Sequence, residues 1–236
     1  MDPHESPGTI PDLLARSYMF CRVELVRQGA WSTLIKDHIT QHYEGIELNS
    51  KRTNIKRSFA NTDSFSWETY YEALVVLSRV TSELKLTISL DTGNHIESYR
   101  YTIESDRKNW TTKKGHPIKP DNKNAKSLFM PANQNREDET VFTYIIREAM
   151  RKQRITVEEM NKRLNEFIKD PINIVTYSVT TPANMKSSLK ASLCRGSIAW
   201  NNVPRLLKLL GYRNLTLKLE ARTGVGVRSS VVGLDL

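Results

Sequence analysis

The sequence predicts a mainly α chain with small β additions, arranged as two tandem helical modules, each followed by short antiparallel strands. Three observations predict it. Apolar residues recur at helical spacing over much of the 236-residue chain. A set of elements recurs in the same order in the two halves. Two stretches, Leu84 to Leu90 and Leu215 to Glu220, alternate apolar and polar residues as a half-buried strand does. The length fits one large domain or two small ones. With 39% hydrophobic residues the chain can form small cores, and a collagen-like or wholly disordered chain is excluded.

The repeat organises the rest. Residues 18–39 match 143–164 at an offset of 125, with Arg22 on Arg147, Leu25 on Met150, Gln28 on Gln153 and Ile39 on Leu164. Ile55-Lys56-Arg57-Ser58-Phe59 matches Leu189-Lys190-Ala191-Ser192-Leu193, and Trp67 matches Trp200. Leu74 and Leu77 match Leu207 and Leu210. Leu84-Lys85-Leu86-Thr87-Ile88 matches Leu215-Thr216-Leu217-Lys218-Leu219. The predicted organisation is therefore a first module at 1–105, a basic linker at 106–140 and a second module at 141–236.

In the first half, helices are expected near 13–28, 32–43, 50–60 and 66–79, then the strand Leu84–Leu90. Ser98 to Glu104 reads as a second strand, joined to the first by the turn-rich Asp91-Thr92-Gly93-Asn94. The linker lacks periodicity and holds Gly115, Pro117, Pro120 and Pro131. In the second half, Phe142, Ile145, Ile146, Ala149 and Met150 fall at helical spacing. Thr156 caps the next helix, with Glu158 and Glu159 at its positive end and Met160, Leu164 and Phe167 facing inward. Thr181-Pro182 starts a third helix that runs to about Leu193. A fourth, from about Ala199 to Leu210, carries Pro204 early and ends at Gly211. The strand Leu215–Glu220 follows, and Val225 to Val232 is expected to pair with it.

Charge is unevenly placed. The formal net charge is +9, and residues 141–236 carry all of that excess, with 16 Lys and Arg against 7 Asp and Glu. Residues 1–90 carry 10 against 11. A cationic half of this kind suits a polyanion. A capped helix rich in Lys, Asn and Ser within a short bundle suggests helix-turn-helix binding of double-stranded DNA. There, short polar side chains meet base edges in the major groove while cations and helix amides hold phosphates. The second half offers Thr181, Asn184, Lys186, Ser187 and Lys190, with Arg195 just beyond. The first offers Ser50, Lys51, Arg52, Asn54, Lys56 and Arg57. Ile55, Phe59, Leu189 and Leu193 read as the inward sides of these helices. An ordinary solvated helix face is the alternative for either copy.

The stretch from Ile145 to Leu164, with Arg147, Arg151, Lys152 and Arg154 before Thr156-Val157-Glu158-Glu159-Met160, resembles the opening two helices of lambda-repressor-like (Cro-type, XRE-like) helix-turn-helix domains. Asn161 stands where that family carries a small residue. The resemblance implies two tandem helix-turn-helix modules, with sequence-reading helices at Thr181–Leu193 and Ser50–Phe59. It also implies a DNA-binding transcriptional regulator of a phage, plasmid or other mobile element. The alternative is a non-catalytic DNA-binding accessory subunit of a nucleoprotein complex serving DNA transfer, replication or defence.

Two linked modules can imitate a dimer on two half-sites. Residues 107–126 of the linker, with Arg107, Lys108, Lys113, Lys114, Lys119, Lys123 and Lys126 against Asp121, suit phosphates or plain solvation, with Trp110 as a stacking candidate. A homodimer or protein partner is also compatible with the sequence.

Catalysis has little support. His38 and His42 are spaced i, i+4, but Ile39 follows the first where a His-Glu-x-x-His zinc site needs Glu. Thr223-Gly224-Val225-Gly226 lacks the Gly-Lys-Ser/Thr of a phosphate loop. Glu137-Asp138-Glu139 reads as a complement to a helix dipole. No enzyme, cofactor or metal is expected. Cys21 and Cys194 read as packed thiols without disulfide or zinc spacing. The acidic start Met1-Asp2-Pro3-His4-Glu5 is no secretory signal and no run of about 18 apolar residues exists, so a cytoplasmic setting away from membranes is expected.

Overall fold

A computed structural model describes residues 9–29, 67–103, 141–170, 189–190, 192–193, 198 and 202–236. Among these, five helices and one four-stranded antiparallel sheet form. The order is α1 (Ile10–Arg27), α2 (Trp67–Ser78), β1 (Glu83–Asp91), β2 (Ile96–Thr102), α3 (Val141–Lys152), α4 (Val157–Lys169), α5 (Val203–Leu209), β3 (Asn214–Thr223) and β4 (Gly226–Asp235). The expected helices at 32–43 and 50–60, the linker at 106–140 and most of the third helix of the second half lie outside the described residues.

Local chemistry accounts for the helix ends. α1 starts three residues earlier than its periodicity indicates because Thr9 and Asp12 form a capping box. Asp12 N donates to Thr9 Oγ1 at 3.2 Å and Thr9 N donates to Asp12 Oδ2 at 3.0 Å. α4 begins at the expected cap, with Glu159 N donating to Thr156 Oγ1 at 3.1 Å. α5 carries Pro204 in its first turn and ends before Gly211, whose φ of +85° is the left-handed conformation that closes a helix.

The expectation of a mainly α chain with two separate helix-turn-helix modules is corrected by the sheet. Its order is β2-β1-β3-β4, so β1 of the first half pairs with β3 of the second, from Glu83↔Arg222 to Asp91↔Asn214. The strands are not local additions to each module; they join the halves into one α+β fold. The physical reason is that a lone two-stranded hairpin is marginal in water. β1 and β3 each leave an apolar row and an unpaired edge, and joining them satisfies both. One face carries Leu84, Leu86, Ile88 and Leu90 beside Leu215, Leu217, Leu219 and Ala221, all buried. The other carries Lys85, Thr87, Ser89, Thr216, Lys218 and Glu220, all half-buried. The buried rows belong to a single core that also holds Leu13, Tyr18 and Leu74 from the first half and Ile146, Leu206 and Leu207 from the second.

The sheet is two-fold related in register. Adding 131 to both members of Lys85↔Thr102 gives Thr216↔Gly233, which is a pair of the other hairpin. The same shift takes Thr87↔Arg100 to Lys218↔Val231 and Leu90↔Glu97 to Ala221↔Arg228. Thr87 and Lys218, themselves 131 apart, face each other, so the dyad passes between them. The turns share one side-chain hydrogen bond. Thr92 Oγ1 donates to His95 O at 3.2 Å, and Thr223 Oγ1, 131 residues on, donates to Gly226 O at 3.4 Å.

A sheet shared in this way makes the halves unfold together. Native-state hydrogen exchange is expected to give β1 and β3 amides the same opening free energy. Leu217→Ala, at a fully buried position, is expected to lower both by about 2–5 kcal/mol. Protection lost in β3 alone would contradict the shared core.

Candidate functional site

Of the residues proposed to meet DNA, Lys190 is the one described. Ser50, Lys51, Arg52, Asn54, Lys56, Arg57, Thr181, Asn184, Lys186, Ser187 and Arg195 lie outside the described residues. Lys190 is helical and exposed, between Leu189 and Leu193, which are 5% and 6% exposed and face the core as expected. Two bonds from α3 fix this segment. The Arg147 guanidinium donates to the Leu193 carbonyl, and Ile198 N donates to the buried Thr143 Oγ1 at 3.0 Å. Lys190 therefore stands on a helical turn tied to the core, with its own side chain left to solvent.

Several other cations of the second half are engaged within the fold. Arg151 pairs with Glu148 at 2.8 Å and Arg163 with Glu159 at 3.2 Å. Lys152 reaches Glu97 on β2 at 2.6 Å. Arg205 is 2% exposed and donates to Asn202 Oδ1 at 3.0 Å. Part of the charge excess of residues 141–236 thus serves internal structure.

Two helix–strand crossings correspond by the offsets of the repeat, each between a helix of one half and the outer strand of the other, with α1 lying closer to β4 than α3 does to β2. At the α3–β2 crossing, Tyr99 and Tyr144 meet edge to face, with centroids 6.2 Å apart. The Glu97 carboxylate accepts from Lys152 Nζ at 2.6 Å and from the hydroxyls of Tyr99 at 3.2 Å and Tyr212 at 3.3 Å. Burial acts to raise the Glu97 pKa, but the Lys152 ammonium and the two hydroxyls outweigh it and hold the carboxyl below 4.5. Burial first, then the Glu97 charge, pushes the Tyr99 phenol up.

At the α1–β4 crossing the helix follows the offset of 125. Ser17, Tyr18, Cys21, Glu24 and Leu25 are buried, as are their counterparts Phe142, Thr143, Ile146, Ala149 and Met150. The chemistry differs. Arg228 occupies the Glu97 position and would face a like charge in Arg27, the Lys152 counterpart. Glu24, 2% exposed in place of Ala149, resolves the conflict by accepting from Arg27 at 2.9 Å and lying 3.8 Å from Arg228.

Sequence reading missed both crossings. The usable signal was the charge reversal between Glu97 and Arg228, which acquires meaning only once the strands are known to be equivalent. Cys21 is buried and its thiol pKa is pushed up by that burial, which makes it a poor nucleophile. Among the described residues, no group of three or more His, Cys, Asp or Glu could hold a metal ion. No helix among them is long and apolar enough to cross a membrane.

Two outcomes follow from the crossings. The depressed Glu97 pKa contributes stability that is present above 4.5 and is lost as pH falls through the folded value. Urea unfolding from about pH 7 down to about pH 3 is expected to show a shallower acid loss for Glu97→Gln than for the parent chain. An unchanged acid slope would contradict the assignment. Glu24→Ala is expected to cost about 1–3 kcal/mol by leaving two guanidiniums facing each other, a value reduced for their exposure. Adding Arg228→Glu, which recreates the charge pattern of the other crossing, is expected to recover most of it in the same unfolding assay.

No protein-family model, curated protein or solved structure matches this chain.

Proposed function

We propose that this chain binds double-stranded DNA as one two-fold-related unit, without catalysis, and acts as a sequence-specific regulator of transcription. The observation that carries the reading is the shift of 131 relating the two β-hairpins, which gives a single chain the dyad that DNA-binding homodimers obtain from two copies. A dyad in the protein suits two half-sites of opposite direction on the duplex. The charge supports unequal half-sites, since residues 141–236 carry 16 cations against 7 anions and residues 1–90 carry 10 against 11. The second half then supplies most of the phosphate attraction, and Lys190 is an exposed member of it.

Selection of bound sites from random duplex DNA is the test. Enrichment is expected for an imperfect inverted repeat, with half-sites roughly 10 base pairs apart centre to centre. Lys190→Ala is expected to weaken binding and to lower the slope of log affinity against log salt by about 1. No enrichment over bulk sequence, or an unchanged salt slope for that variant, would overturn the reading.

A further inference from the structure

We infer that the groove between α1 and β4 receives an acidic segment of a protein partner that inserts an aromatic side chain. The inference is independent of DNA binding and rests on comparing the two crossings. Where the α3–β2 crossing is filled by Tyr144 and Tyr99, the α1–β4 crossing carries Met19 and Ser230 at the equivalent positions. Neither ring has a counterpart here, and although α1 lies closer to its strand, an open groove of about 500 Å³ remains, with Met19, Phe20 and Val23 of α1 on one side and Ser229 and Ser230 of β4 on the other. Met19 and Val23 are 40% and 43% exposed and lie on the solvent-facing side of α1.

Charge selects the occupant. Arg16, Arg27 and Arg228 line the groove against the single carboxylate of Glu24, which is already held by Arg27 and Arg228. The surplus is cationic, and Arg27 and Arg228 keep about half of their side-chain surface in solvent. An aromatic group replaces the missing rings, and flanking carboxylates answer the guanidiniums. The groove is open along its length and β4 is an edge strand of the sheet, so an extended polypeptide fits it better than an enclosed small molecule.

The test pans a random peptide display library against the full chain. Enriched peptides are expected to place Phe, Tyr or Trp beside Asp or Glu. A synthetic peptide of that consensus is then titrated by fluorescence anisotropy. Ser230→Tyr, which restores the ring found at position 99, is expected to weaken it about tenfold or more. Met19→Tyr, at a 40% exposed position, is expected to do the same and carries the test if Ser230→Tyr does not fold. Ser98→Tyr, on the exposed face of β2, is expected to leave the affinity unchanged. Peptides of another class, no enrichment, or binding that survives a folded filling variant would each overturn the inference. So would self-association of the chain that the filling variants abolish, because the occupant would then be a second copy.

Discussion

The pairing of β1 with β3 is the constraint on which the rest depends. It joins residues more than a hundred positions apart, and it lies at the centre of the sheet, so each hairpin has one protected edge. Its apolar rows, Leu84 to Leu90 and Leu215 to Ala221, form the floor beneath helices from both halves. Neither half can bury its strand residues without the other. The closure of so long an intervening chain is costly in entropy, but that cost grows only slowly with length. A fully registered pair with a buried face more than offsets it.

The same pairing makes the two hairpins equivalent in register while leaving the halves free to differ in side chains. Thr92 and Thr223 make the same hydrogen bond across their turns, although positive φ falls at Gly93 in one and at Gly226 in the other. The crossings show how far the side chains have diverged. One joins its helix and strand by a tyrosine pair and a Lys152–Glu97 bridge. The other has arginines at both ends of that bridge and holds them through Glu24. The Arg16 guanidinium adds a further tie from α1 to the Gly233 carbonyl of β4. The carboxylate stands on the strand at one crossing and on the helix at the other. Two solutions to one geometric problem therefore coexist in a single chain.

Much of the local structure was legible. Thr156 as a cap, Gly211 as a helix end, and the alternation of Leu215 to Glu220 follow from short-range physics, and the structure places them accordingly. The inward assignment of Leu189 and Leu193 came from periodicity alone and agrees with their burial. What periodicity cannot carry is the partner of a strand. Leu84 to Leu90 would look the same whether it closed a local hairpin or the centre of a shared sheet. The offset of 131 was visible, yet without the pairing it reads as two beads on a string rather than as a dyad. Periodicity also left Lys190 on the outer side of its helix, and it is exposed. Glu97, Tyr99, Glu24 and Arg228 were not legible, because each acquires its role from a residue of the other half.

Interdigitation of this kind has a consequence for how the halves can act. In a chain of independent modules, each surface can adjust to its own ligand. Here α1 of the first half lies on β4 of the second, and Lys152 of the second binds Glu97 of the first. Both crossings rest on strands that join through the β1–β3 pair. Coupling between sites requires an element whose arrangement both sites influence, and the central strand pair meets that description. The buried rows of close-packed leucines transmit displacement because such interiors compress little. The two halves thus share one core and cannot be treated as separate surfaces on independent supports.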